Sequence, residues 1–135
     1  MSRPTVLLVD DDAVFVEAMK AVLDQRYQVR TAYTGEQAVA AVAEELPDLI
    51  ILDVMMDYLS EGYDLAAMFK KNERTAGIPI VILTGVDRMF EARSRLEKTW
   101  VEVESFMTKP PDFAKLHETV ESLLKSRAAR TGSRQ

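Results

Sequence analysis

A chain of 135 residues with 47% hydrophobic and 29% charged side chains has enough apolar material for one core and too little length for two domains. It contains no cysteine, which excludes disulfides, thiolate zinc sites, iron–sulfur clusters and a cysteine nucleophile. A formal net charge of −5 speaks against nucleic acid as the main partner, since phosphate binding needs clustered cations.

The first apolar run, Val6–Val9, ends in Asp10-Asp11-Asp12; it is too short for a signal peptide or membrane span, so a cytoplasmic protein without membrane insertion is expected. As a continuous run it predicts a strand buried on both faces. Phe15, Met19, Val22 and Leu23 then share one stripe of a first helix, with Asp12 as its cap or first-turn acid. Gln28–Ala32 predicts a second strand, and Thr34-Gly35-Glu36 opens a second helix. Leu49–Leu52 and Ile80–Leu83 predict strands three and four, each followed by a helical segment; the second helix and its exit are the least defined part of the pattern, and they leave Trp100 unplaced. Val101–Met107 is the least distinct of the strands. Asp112, after Pro110-Pro111, caps a last helix whose stripe is Phe113, Leu116, Val120, Leu123 and Leu124. Met19, Met68 and Met107 read as core filler. The alternation predicts an α/β domain with a doubly wound, five-stranded parallel sheet and five helices, joined by right-handed crossovers. The expected division is one domain over residues 1–125 and a flexible basic tail over 126–135, where Arg127, Arg130 and Arg134 stand without an acid.

In such folds the loops at the carboxyl ends of the strands form the functional crevice. Asp10, Asp11 and Asp12 follow strand one, Asp53 strand three, Thr84-Gly85 strand four and Thr108-Lys109-Pro110 strand five. Converging carboxylates repel, and an oxygen-only cluster relieves the repulsion with a hard cation, for which Mg2+ is the natural candidate. With Lys109 as a second positive charge and the Thr84 hydroxyl as a donor, a phosphoryl group on Asp53 would be neutralised and hydrogen bonded. The single histidine, His117, reads as a surface or boundary residue rather than a phosphate carrier.

Four spaced segments together resemble the receiver domain of two-component response regulators: Leu7–Asp12, Asp48–Met56, Pro79–Gly85 and Ser105–Pro110. The resemblance runs from Val6 to about Leu124 and implies a flavodoxin-like fold with strand order 2-1-3-4-5. It implies that Asp53 accepts a phosphoryl group from a sensor histidine kinase or histidine phosphotransfer protein, with Mg2+ held by Asp11, by Asp10 largely through water, by Asp53 and by the backbone carbonyl of Met55. It further implies a switch in which Thr84 is drawn to the phosphoryl group. Phe106 then changes rotamer and remodels the face of the fourth helix, fifth strand and fifth helix for a downstream partner. The implied protein is a stand-alone regulator, monomeric or dimerising on phosphorylation, and not an enzyme beyond self-phosphorylation and self-dephosphorylation. Met55 and Val86 occupy the two positions that tune phosphoryl lifetime; both are apolar, unable to orient a hydrolytic water, so slow loss of the group is expected.

Three departures stand out. Asp57 and Glu61 replace the family's Pro and Gly after the acceptor, with Gly62 one step later, which makes this loop longer and more acidic; Asp57, Tyr58 and Glu61 read as solvated surface, with metal tuning or kinase choice as the functional alternative. Gly85 stands where Ala is common, and the stretch from Thr84 to Lys109 is longer than usual. Two other functions compete. A haloacid-dehalogenase-type phosphohydrolase needs a second carboxylate where this chain has Met55, whereas an adaptor independent of phosphorylation would tolerate loss of Asp53.

Overall fold

The computed structural model describes residues 3–54, 61–85, 93–94 and 103–132. Its strands are β1 (Thr5–Val9), β2 (Gln28–Ala32), β3 (Leu49–Asp53), β4 (Ile80–Thr84) and β5 (Ser105–Thr108). Its helices are α1 (Ala13–Leu23), α2 (Gly35–Glu44), α3 (Glu61–Lys71) and α4 (Phe113–Gly132). The sheet is five-stranded and parallel throughout, in the order β2-β1-β3-β4-β5.

The three central strands carry the apolar runs and are buried along their whole length, while β2 and β5 lie at the edges and are partly exposed. Alternate residues feed two cores. Leu7, Val9, Ile50, Leu52, Ile80 and Ile82 pack against Ala38 and Val42 of α2 and Leu65, Ala66 and Phe69 of α3. Val6, Leu8, Leu49, Ile51, Val81 and Leu83 pack against Val16, Met19 and Leu23 of α1 and Leu116 and Val120 of α4. At roughly 1.5–3 kcal/mol for each fully buried Leu, Ile or Val, these two layers supply the main stabilisation.

The expected caps form. Asp12 Oδ1 accepts hydrogen bonds from the backbone N–H of Val14 and Phe15, Thr34 Oγ1 from that of Gln37, and Asp112 Oδ1 from those of Ala114 and Lys115. Other expectations are revised. Of the expected fifth strand, Val101 and Glu102 lie outside the described residues, and β5 runs from Ser105, just after Glu104, whose carboxylate accepts from the Ile80 N–H and the Lys70 ammonium. Met68 is 43% exposed and not core filler, since α3 turns Leu65, Ala66 and Phe69 inward instead. Phe113, the first residue of α4, is likewise half-exposed. Helix α4 runs on to Gly132, and Arg127 bonds both the backbone carbonyl and the carboxylate of Asp48. The helix expected after strand four lies outside the described residues apart from Arg93 and Ser94, as does Trp100, so four helices are described instead of five. Among the described residues, no helix is long and apolar enough to cross a membrane.

Candidate functional site

Strand register brings the chemistry together. Val9 lies opposite Leu52, so the next residues, Asp10 and Asp53, leave the sheet side by side. Asp53 is opposite Leu83, and Thr84 is opposite Thr108, which sets the Thr84 hydroxyl and then Lys109 on the same rim. The Lys109 N–H donates to the Thr84 carbonyl at 2.8 Å, extending the ladder one residue past β5. The Lys109–Pro110 peptide is cis.

Carboxylate oxygens of Asp10, Asp11 and Asp53 lie within 4.8 Å of one another, close enough to share one cation. Asp10 and Asp53 are buried, with exposures of 0% and 1%. The Lys109 ammonium donates to both, at 2.9 Å to Asp10 Oδ2 and 3.2 Å to Asp53 Oδ2. The Lys109 ammonium is thus shared by two of the three carboxylates. Burial pushes the Asp10 carboxyl from its ordinary 3.8 up to about 6; the hydrogen bonds from Lys109 and the Asp12 N–H restrain the rise, and the Asp53 charge adds to it. For Lys109, burial opposes the charged form, but the Asp10 hydrogen bond and the charges of Asp53 and Asp10 outweigh it, and its pKa rises.

Thr84 Oγ1 is fully buried and has no hydrogen-bond partner among the described residues. A buried hydroxyl left unbonded costs roughly 1–3 kcal/mol, and its place beside the carboxylates suits a donor kept for an incoming oxygen. The all-oxygen cluster fits a hard divalent cation such as Mg2+.

The backbone leading away from Asp53 is held by close packing. A Cβ on Gly62 would lie 2.7 Å from the Val54 Cα and 3.1 Å from the Asp53 carbonyl oxygen, so the start of α3 can approach this loop only as glycine. Asp12 caps α1 and stands outside the carboxylate group. Phe106, in β5, is partly buried against the α2–α3 core, and the Arg93 guanidinium lies 4.8 Å from its ring centre. Met55, Asp57, Tyr58 and Val86 lie outside the described residues. Sequence reasoning placed Phe15 in an apolar stripe and missed its second contact, the Lys109 ammonium 4.4 Å from its ring centre. The available signal was its place one turn into the helix that directly follows the acidic loop.

Comparison with known proteins agrees with this geometry. The family model described as the response regulator receiver domain matches residues 6–121. Response regulator PleD of Caulobacter vibrioides is 36% identical over 119 residues, which cover 87% of this chain and 25% of PleD. Protein PilH of Pseudomonas aeruginosa is 28% identical over 123 residues, covering 88% of this chain and 96% of PilH. Among solved structures, a response regulator described as putative from Chloroflexus aurantiacus superposes with a TM-score of 0.82 at 29% identity, covering 92% of this chain and 99% of that one. The chain spans between a quarter and half of the length of several curated relatives, at 25%, 47% and 49%. The family match takes in all four strands that carry the site and ends within α4, so the chain belongs to the response regulator receiver domains.

Proposed function

We propose that Asp53 is the phosphoacceptor of a Mg2+-dependent phosphotransfer from a phosphohistidine on a sensor histidine kinase or histidine phosphotransfer protein. The observation that carries this reading is the buried Asp53 carboxylate, beside Asp10 and Asp11 and bonded by the Lys109 ammonium, with the Thr84 hydroxyl unbonded among the described residues. A carboxylate oxygen of Asp53 attacks phosphorus, a P–O bond forms as the P–N bond to the imidazole breaks, and the imidazole nitrogen keeps the electron pair. Asp10, Asp11 and Asp53, with the backbone carbonyl of Met55, would hold the cation. When bound, it neutralises the carboxylates and the charge on the phosphoryl oxygens. Lys109 supplies the remaining positive charge, and Thr84 donates its hydroxyl to a phosphoryl oxygen.

The output is a protein contact. A dianionic group that draws Thr84 inward biases the packing of Phe106, which lies one strand over from β4, and so the surface around β5 and α4. The test is intact-protein mass spectrometry after incubation with acetyl phosphate and Mg2+, beside Asp53→Asn and a chelated sample. One adduct of phosphoryl mass, present only in the unmutated, metal-containing sample and slow to decay once the donor is removed, is the expected result. Absence of the adduct with a histidine kinase also supplied would turn the reading toward an adaptor independent of phosphorylation.

A further inference from the structure

Among the described residues, the Lys109 ammonium is held by two carboxylates and one further neighbour. The third is the face of Phe15, whose centre lies 4.4 Å from Nζ, well inside the range of a cation–π contact. Phe15 is placed there by local structure. Asp12 caps α1 by accepting from the N–H groups of Val14 and Phe15, which sets the first turn and aims the third helical residue at the rim, while its neighbour Val14 points away and is 81% exposed.

We infer that Phe15 is a positioning residue, holding the Lys109 ammonium over its ring so that the charge stays on the rim beside Asp53. This rests on the phosphoacceptor reading above and adds a residue to it. The physical reason lies in competition for oxygen. Asp10 and Asp53 bond Lys109, yet the same two carboxylates belong to the cluster able to share a cation, and any cation drawing on those oxygens weakens their hold on the ammonium. The aromatic face has no lone pair for a hard cation and keeps its attraction for the ammonium whatever the carboxylates bind. It also covers part of a side chain that remains 21% exposed, which slows its escape to water.

Phe15 also packs against the α1–α4 core, so replacing it tests packing as well as charge. Progressively fluorinated phenylalanines at position 15, in the full chain, separate the two because they keep the shape while draining the ring's negative face. Initial rates of phosphorylation by acetyl phosphate at saturating Mg2+ should fall stepwise, by about two- to fivefold at pentafluorophenylalanine. In a Lys109→Met background the same series should be flat. The NMR resonances of the Lys109 ε-protons should be shielded by the ring and lose that shielding in Phe15→Leu. A flat series with Lys109 present, or an equal decline without it, overturns the inference. Failure of the unmutated protein to form any adduct overturns the acceptor reading instead, and the Lys109 resonances then decide the inference alone: shielding that disappears in Phe15→Leu sustains it, and unshielded protons end it.

Discussion

Among the described residues, two lysines held largely out of solvent, Lys70 and Lys109, sit in carboxylate company, and their surroundings differ. Lys70, at the end of α3, is 9% exposed and faces one acid, Glu104, at 2.8 Å; it also donates to the backbone carbonyls of Ile78 and Ala76, and Glu104 accepts the Ile80 N–H. Charges match, donors are used, and the cluster ties the α3–β4 connection to the start of β5. Lys109 instead faces Asp10 and Asp53 at once, with Asp11 alongside and the Thr84 hydroxyl unbonded among the described residues. The first arrangement is complete as it stands. The second gathers three carboxylates on one rim beside a shared ammonium, and such a cluster is kept where a ligand completes the set.

Changing one member of each cluster separates them. Raising Asp10 from 3.8 to about 6 means that the folded chain holds the proton more tightly than the unfolded chain. Stability from this group is therefore greatest at low pH, falls as pH climbs from about 4 to about 6, and stays reduced above, at a cost of up to about 3 kcal/mol. In the absence of metal, Asp10→Asn should be more stable than the unmutated protein at pH 7 by up to that amount, with the gap closing toward pH 4, as read from urea midpoints. Lys70→Met should act in the opposite sense, lowering stability by about 2 kcal/mol by stranding two carbonyls and Glu104, with little change in phosphorylation. The smallest effect concerns competition between proton and metal: below about pH 6, where Asp10 takes up its proton, apparent Mg2+ affinity should fall by about tenfold per pH unit, measured by calorimetric titration.

Much of the site was legible because it depends on strand ends. The runs at Val6, Leu49 and Ile80 are continuous and apolar, so their ends were sharp, and parallel register then forced Asp10, Asp53 and Thr84 together. Asp12 and Asp112 were readable as caps from their positions alone. Features built across long separations were not. Nothing local ties Lys70 to Glu104, or Phe15 to Lys109, since each pair meets only after the sheet has assembled. The pairing of Arg127 with Asp48 is equally non-local, and counting charges near the chain's end gave no sign of it. Met68 was assigned from its stripe, but a stripe gives the buried face of a helix only to within a residue.

The most direct test of this carboxylate cluster as a cation site is equilibrium unfolding with and without Mg2+ at pH 7, comparing the unmutated protein with Asp11→Asn and Lys70→Met. The convergence of Asp10, Asp11 and Asp53 predicts that Mg2+ stabilises the unmutated protein and Lys70→Met alike, by about 2.7 kcal/mol at a hundredfold excess over the dissociation constant, and leaves Asp11→Asn almost unchanged. Equal stabilisation of all three proteins, or of none, would contradict it.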